Sequence, residues 1–226
     1  MNAPEDVNGL ASASPLRVLD LGHMEYRAAW DEQLRIHAEV EAGAPDSLIL
    51  VEHPPVLTLG ANFHEDNLLF SVADYERRGI AVHRTDRGGD VTYHGPGQLV
   101  GYPIFDLRRR GRDIHAWLRT IEEVVMDVCR GYGLEPRRFP PHTGVWLGDQ
   151  KVCAIGVKIR RWISIHGLAL NCGNTLDAFD LIVPCGIRDF GVTSLSQAVG
   201  RQVSLGEVKP RLIASFASAQ PERTLR

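Results

Sequence analysis

The sequence predicts an α+β fold, in which helices flank a mixed and largely antiparallel sheet. Short apolar or alternating segments, bounded by Gly, Pro and Asn, follow one another through the middle of the chain, as the strands of such a sheet do. Segments with apolar residues at helical spacing separate them. The 226 residues, 44% of them hydrophobic, are enough for one compact domain, which we place at residues 15–226 after a flexible tail at residues 1–14.

The elements of the first part of the chain follow from local patterns. Alternating apolar and polar residues indicate a half-buried strand, and a run of helix formers without Gly or Pro indicates a helix. Ser71 is a suitable helix N-cap and Gly79 a suitable stop. In order, we expect a strand at residues 16–22, a helix at 24–42, strands at 48–52 and 56–59, a helix at 71–78 and a strand at 81–84.

The second part of the chain contains the strongest helical pattern. Apolar residues recur at helical spacing over residues 113–131, with Asp113 as N-cap. Residues 144–171 then predict three strands, separated by a turn at residues 148–150 and a corner at residues 160–162. From Leu205 onward a weaker helical pattern is interrupted by Pro210, so we expect a separate small cap there.

Charge and composition exclude several classes of protein. Lys and Arg total 25 against 28 Asp and Glu, a net charge of −3, so we expect no nucleic-acid partner. No run approaches 18 apolar residues, so we expect no membrane span. The four cysteines form no CxxC pair, and the first 14 residues lack the apolar core of a signal peptide. We therefore expect a soluble, cytoplasmic protein with reduced thiols.

Two segments contain residues suited to chemistry, each with a plainer alternative. Residues 87–98, RGGDVTYHGPGQ, contain four glycines that allow main-chain N–H groups to approach a ligand, although a hairpin with turn glycines has the same pattern. They fit neither GxGxxG nor the P-loop pattern. Lys151 begins an apolar strand, where a desolvated lysine can act as an acid or base, although a strand-end lysine more often reaches to water.

Two further segments follow downstream. His166 and Gly167 interrupt a strand, and a structural histidine is the plainer interpretation of the first. Cys185 lies between Pro184 and Gly186 in a turn, where a thiol can be exposed and reactive if a base is near. The other three cysteines lie on or beside predicted helices and strands and fit small buried residues. The spacing of His166 and the cysteines matches no zinc pattern, so we expect no metal site.

Together these segments resemble the lipoyl(octanoyl) transferase family, whose members have the fold of biotin and lipoate protein ligases. The resemblance extends from about Leu48 to Gln197 and includes four ordered motifs. They are RGGxxTxHGPGQ at residues 87–98, K-[IV]-x-x-[IL]-G at residues 151–156, HGxALN at residues 166–171, and PCG at residues 184–186. One position departs from the family pattern, because Thr175 precedes Leu176 where the family usually has Asp.

The resemblance implies a cofactor-free acyl transfer. Cys185 would carry the acyl group as a thioester, and Lys151 would lower the pKa of that thiol and move protons. The donor would be octanoyl-acyl carrier protein, and the acceptors would be lysines of the lipoyl domains of 2-oxoacid dehydrogenases and of the glycine cleavage H protein. The residues implied to bind substrate are Arg87, Gly88, Gly89, Asp90, Val91, Thr92, Tyr93, His94, Ala154, Ile155, Gly156, Gly167, Leu168 and Ala169.

Two alternatives and one docking hypothesis accompany this interpretation. An ATP-dependent lipoate or biotin ligase would share the fold and the glycine-rich loop, but it would not need Cys185. A nucleic-acid-binding module would use the arginines, although no aromatic residues are interleaved with them. The arginines at residues 108–112 and 137–138 could instead face an acidic carrier protein, or only solvent.

Overall fold

The computed structural model describes residues 16–183 and 190–219. The predicted tail at residues 1–14 and the PCG segment with Cys185 lie outside these ranges. The helices are α1 Tyr26–Glu41, α2 Val72–Arg77, α3 Ile114–Arg130, α4 Leu195–Val199 and α5 Leu205–Ser218. The strands are β1 Arg17–His23, β2 Ser47–Glu52, β3 Val56–Leu59, β4 Ala81–Arg84, β5 Val91–His94, β6 Gln98–Ile104, β7 Pro136–Phe139, β8 His142–Leu147, β9 Gln150–Arg160, β10 Ile163–Asn171 and β11 Gly191–Val192.

The main sheet has the order β1-β2-β6-β10-β9-β8-β7, with β11 beside β9. Its pairs are antiparallel except for β1 with β2 and β11 with β9, which are parallel. Helix α1 connects the parallel strands β1 and β2, as a parallel pair requires a crossover. The predicted α+β fold with a largely antiparallel sheet is therefore confirmed.

Both faces of the main sheet are covered. On β2, Leu48 and Leu50 belong to one buried cluster, while Ile49 and Val51 belong to another, because alternate side chains on a strand face opposite sides. Helices α3 and α5 contribute to the first cluster, and α1 contributes to the second. The sheet is thus the middle layer between two helical layers.

A smaller sheet, in the order β4-β3-β5, packs around a third apolar cluster that includes Tyr75 and Phe179. Strand β5 pairs with β3, whereas the next strand, β6, pairs with β2 and β10 in the main sheet. The glycine-rich segment between them therefore crosses from one sheet to the other. It is not the simple hairpin that its glycines also allowed.

The helix ends agree with the predicted caps, but the C-terminal segment differs from its prediction. The Ser71 side chain accepts a hydrogen bond from Asp74 N, and the Asp113 side chain caps α3 in the same way. Pro210 lies inside a continuous α5, whose Leu212 and Phe216 are buried in the core with α3. The expected separate cap is wrong, because burial of this apolar stripe outweighs one missing backbone donor.

Candidate functional site

The site is built where β9 and β10 run side by side in the main sheet. Their register places Gly167 opposite Gly156 and Ala169 opposite Ala154. The glycine-rich loop lies against the same strand, because Gly88 N donates a hydrogen bond to Val157 O at 2.9 Å. A Cβ atom on Gly156 would lie 2.6 Å from Gly88 O, which explains why this strand position has no side chain. The glycine-rich loop thus meets two consecutive strands that come much later in the sequence.

Arg87 shapes the glycine-rich loop from inside. Its guanidinium donates hydrogen bonds to Thr58 O at 2.6 Å, Asp90 O at 2.7 Å and Gly88 O at 3.0 Å. Only 8% of the residue is exposed. The planar group therefore connects Thr58 in β3 with Gly88 and Asp90 in the first part of the loop. This buried network explains why an arginine is needed at the beginning of the loop.

The rest of the predicted substrate-binding stretch divides by strand alternation. Thr92 and His94 line the pocket described below, and Asp90 lines the neighbouring cleft. Val91 and Tyr93 pack instead into the core of the small sheet. The side chains of Val91 and Tyr93 therefore face away from the pocket, because alternate side chains on β5 face opposite directions, and substrate binding along this stretch stays a prediction.

Two adjoining cavities lie beside these segments. The larger is an open cleft of about 760 Å³ that includes Lys151 and Asp90. The smaller is a narrow pocket of about 40 Å³ between the loop and the two strands. Both are lined by Gly88, Gly89, Ile155 and Gly156, so these four residues, called the neck below, lie at the boundary between the two cavities. The remaining lining of the pocket is Tyr26, Arg87, Thr92, His94, Val100, Tyr102, Ala154, His166, Gly167, Leu168 and Ala169.

The aromatic wall of the pocket carries no charge at neutral pH. Burial lowers the pKa of His94 to about 3 and that of His53, which contacts it, to about 4. Burial also raises the pKa of Tyr26 to about 12 and holds the pKa of Tyr102 well above its usual range. Hydrogen bonds hold the imidazoles in place, with His53 Nδ1 donating to Met24 O at 2.7 Å and Tyr102 OH donating to His53 Nε2 at 2.8 Å. Such a wall favours an uncharged ligand.

His94 is not suited to act as the general base. Its Nδ1 donates to Gln98 Oε1 at 2.8 Å, and its Nε2 accepts from the Thr58 hydroxyl at 3.3 Å. Both nitrogens are therefore occupied, and the lowered pKa makes the ring a very weak base. From its position in β5, His94 forms part of the wall of the pocket.

His166 lines the pocket and lies far from Lys151, which lines the cleft. The register places it opposite Val157, six residues along β9 from Lys151, which corresponds to about 20 Å of strand. Its Nε2 donates to Asp86 Oδ1 at 2.8 Å, although burial is the larger influence and lowers its pKa. Its backbone has a positive φ of 58°. His166 therefore attaches β10 to the residue that precedes the glycine-rich loop.

Lys151 is a buried lysine whose amine faces the open cleft. Only 8% of the residue is exposed, and its Nζ lies 4.9 Å from the centre of the Trp146 ring. Within residues 16–183 and 190–219, no carboxylate or hydrogen-bonding group pairs with this amine. Its strand neighbour is β11, where Val192 pairs with Lys151 and Thr193 N donates to Lys151 O at 3.0 Å.

Sequence reasoning missed several residues of the site. Asn67 lines the cleft, and its side chain donates to Asp90 Oδ2 at 2.6 Å, but nothing in the local sequence singles it out. Tyr26 and Tyr102 come from α1 and β6, and only the folded sheet brings them to the pocket. Trp146 was missed as well, because the predicted turn at residues 148–150 places Leu147 opposite Lys151, whereas in the structure Trp146 pairs with Lys151.

The arginine-rich segments are largely paired with carboxylates of this chain. The pairs are Arg108 with Asp106 at 2.8 Å, Arg109 with Asp106 at 3.3 Å, Arg110 with Asp46 at 3.1 Å, Arg137 with Asp149 at 2.6 Å and Arg138 with Glu122 at 3.1 Å. These ion pairs offset much of the positive charge that an acidic partner would meet. The docking hypothesis for these arginines remains a prediction.

The described ranges contain neither a membrane-crossing helix nor a cluster of side chains arranged for a metal. No helix within them is long and apolar enough to span a bilayer. No group of three or more His, Cys, Asp or Glu residues there is positioned to hold a metal ion.

Comparison with known proteins identifies a matching family model and several similar enzymes. The model of the lipoyl protein ligase A/B catalytic domain matches residues 25–217. An octanoyltransferase of Chloroflexus aurantiacus is 50% identical over 205 residues, which are 89% of this chain and 92% of that protein. An octanoyltransferase of Chloroflexus aggregans is 46% identical over 207 residues, which are 90% of this chain and 94% of that protein.

A solved structure of lipoate-protein ligase A bound with ATP has a TM-score of 0.74 at 21% identity, covering 90% of this chain and 85% of that one. At this identity the likeness shows the fold, and it confirms the ligase-like fold that the resemblance implied. The two octanoyltransferases, at 46% and 50% identity, identify the family more specifically than this fold does. The chain therefore belongs to the octanoyltransferase family of acyltransferases, within the lipoyl protein ligase A/B catalytic domain.

Proposed function

We propose that this enzyme transfers an octanoyl group from acyl carrier protein to a lysine of a lipoyl domain, through a thioester on Cys185. The acceptors are the lipoyl domains of 2-oxoacid dehydrogenases and the glycine cleavage H protein. The observation that carries the proposal is that the two cavities adjoin and share four lining residues, with Lys151 lining the cleft and a pocket with an uncharged aromatic wall beyond the neck. This arrangement suits a reactive carbonyl that carries a long apolar chain.

The transfer requires two acyl exchanges. The Cys185 thiolate attacks the carbonyl of the donor thioester, the bond to the carrier thiol breaks, and that thiol leaves with a proton supplied by Lys151. The acceptor amine then attacks the new thioester, an amide bond forms, and the Cys185 sulfur leaves. Lys151 accepts the proton that the amine gives up and so returns to its starting form. The activation of the donor is retained throughout, so no nucleotide is consumed.

The other cysteines support the choice of Cys185 by their burial. Cys129, Cys153 and Cys172 are fully buried, and none has an accessible sulfur. Burial raises the pKa of Cys129 and of Cys172 to about 12 and that of Cys153 well above its usual range. A thiol in such surroundings forms too little thiolate to act as a nucleophile.

The residues on either side of the Cys185 segment also support the proposal. Val183 N donates to Asn67 O at 2.9 Å, and Asn67 lines the cleft. On the other side, the Phe190 ring lies 5.7 Å from Trp146, and Val192 pairs with Lys151. Val183 before Cys185 and Val192 after it are thus each bonded or paired to a residue that lines the cleft, Asn67 and Lys151 respectively.

Intact-protein mass spectrometry after incubation with octanoyl-acyl carrier protein tests the proposal. We expect the mass of one octanoyl group on the parent protein and on Cys129→Ala, which serves as the matched control. Cys185→Ser should acquire no hydroxylamine-sensitive thioester and should not octanoylate a lipoyl domain. Full octanoylation of the lipoyl domain by Cys185→Ser would overturn the proposal.

Lys151→Arg tests the proton transfer. Arginine keeps the positive charge but does not release a proton at physiological pH, so turnover should nearly stop while the thiol still reacts with iodoacetamide. Turnover close to the parent rate would remove the acid–base role of Lys151.

The alternative is an ATP-dependent ligase, which the fold also permits, since the ligase of similar fold binds ATP. The same assay distinguishes the two reactions. ATP with free octanoate should give little product here, whereas efficient product formation with release of pyrophosphate would favour the ligase.

A further inference from the structure

The surroundings of Lys151 contain a contact for which the reaction outlined above gives no reason. The amine lies 4.9 Å from the centre of the Trp146 ring, within the range of a cation–π interaction. A buried ammonium group is normally stabilised by a carboxylate, and no described residue supplies one to Lys151. The face of the indole is therefore the partner that the described structure offers to this charge.

The contact is built into the sheet. Trp146 on β8 pairs directly with Lys151 on β9, so both side chains project from the same face. The register shifts between Val145 and Trp146, and such a bulge re-aims the side chains beside it. The stem of the lysine lies beside Gly144, where a Cβ atom would lie 3.4 Å from Lys151 Cε, an ordinary van der Waals contact, and 2.6 Å from Cys153 O.

The indole itself is held from its other sides. Its ring centre lies 5.2 Å from that of Phe139, 5.7 Å from that of Phe190 and 6.2 Å from that of His142. Only 1% of Trp146 is exposed, whereas Lys151 borders the cleft. The Trp146 ring is thus held in place by its neighbours on one side of the amine. The other side of Lys151 borders the cleft, where we expect substrates to enter.

The geometry points to Trp146 as the positioning residue of Lys151, holding the amine toward the cleft through the face of its ring. This inference rests on the proposed function, because it gives Trp146 a part in a reaction that Lys151 carries. Without the ring, the lysine stem keeps its backbone position but loses the contact that directs its amine. The chemical steps should then slow, while the binding of the acyl chain at the neck and pocket stays the same.

The test compares two buried tryptophans. Trp117 is 3% exposed and packs 5.0 Å from Phe105 in the core, so Trp117→Leu removes the same ring without a contact to Lys151. Trp146→Phe keeps an aromatic face beneath the amine. The readouts are kcat, KM for octanoyl-acyl carrier protein, and thermal unfolding of each variant.

We expect Trp146→Leu to lower kcat about 10-fold or more with little change in KM. Trp146→Phe should restore most of this loss, and Trp117→Leu should keep kcat near the parent value despite a similar loss of stability. In a Lys151→Ala background, where slow single turnovers are followed by mass spectrometry, adding Trp146→Leu should have little further effect.

Equal kcat values for Trp146→Leu and Trp117→Leu would overturn the inference, as would failure of Trp146→Phe to restore kcat in a folded protein. Failure of the proposed function is recognised separately, because the parent protein would then form no octanoyl thioester on Cys185.

Discussion

Acidification from pH 7.5 to pH 5.0 should lower the free energy of unfolding by about 4 kcal/mol, because His53 and His94 are buried as neutral rings. Burial is the main cause in both cases, and it lowers the pKa to about 4 for His53 and about 3 for His94. In the unfolded chain a histidine titrates near its usual pKa of 6.5. Between these values the unfolded state binds protons that the folded state does not bind.

The sign and the size of the effect follow from this difference. Because the unfolded state holds more protons below pH 6.5, each buried histidine contributes stability that is complete above that pH and is lost as the pH falls toward the folded-state pKa. The pKa of histidine in the unfolded chain lies about 1.5 units above pH 5.0. Protonation of the unfolded chain at that pH therefore costs about 2 kcal/mol of folding stability for each ring. Burial also lowers the pKa of His166, which acts in the same direction. A total of about 4 kcal/mol is a large part of the 5–15 kcal/mol that is typical of a folded domain.

Urea unfolding at half-unit steps from pH 7.5 to pH 5.0 measures this dependence, with His53→Gln as the test variant. The packing cost of the substitution is the same at every pH, so the slopes are compared rather than the absolute stabilities. The parent should lose about 2 kcal/mol more than His53→Gln over this range. Equal slopes for the two proteins, or a parent stability that does not change down to pH 5.0, would refute the assignment of His53 as a neutral buried ring.

Two further predictions concern the glycine-rich loop. Gly156→Ala places a Cβ atom 2.6 Å from Gly88 O and should cost about 1–3 kcal/mol of stability and reduce octanoyl loading of Cys185, whereas Gly206→Ala, whose Cβ would meet its nearest atom at 3.8 Å, should do neither in the same mass-spectrometric and thermal assays. Arg87→Lys removes hydrogen bonds to Thr58 O and Asp90 O and should cost about 2 kcal/mol in urea unfolding, and a loss no larger than that of the half-exposed Arg137→Lys would contradict the role given to this guanidinium.

Local sequence patterns were sufficient to predict many of the helices and strands. The helix predicted at residues 113–131 is α3, since both its cap at Asp113 and its apolar stripe are local signals. The strands predicted at residues 48–52 and 56–59 are β2 and β3. The partners of these strands were not predictable, because β2 pairs with β6 about fifty residues away and β3 pairs with β5 in a different sheet. Pairing is decided by long-range burial, which no short window contains.

The same limit applies to the site. The motif segments identify Lys151 and the glycine-rich loop, but not the alternation that turns Tyr93 into the core while His94 faces the pocket. Tyr26 and Tyr102 reach the pocket only through the packing of α1 and β6 on the sheet. Trp146 was missed too, because a turn at residues 148–150 places Leu147 opposite Lys151, whereas the observed register pairs Trp146 with Lys151. Neither the exact strand register nor the tertiary packing that completes the site is contained in the local pattern.

Strand β9 carries both Lys151 and Gly156, the amine of the cleft and one side of the neck. Gly156 lies five positions after Lys151 along the extended strand, which corresponds to about 16 Å. This distance is set by the main chain rather than by a loop or a side-chain rotamer. Movement of the loops around the cleft therefore leaves the spacing unchanged. If the proposed function holds, we expect a longer acyl chain to place its additional carbons in the pocket beside Tyr26 and Tyr102, while the position of its carbonyl near Lys151 stays the same.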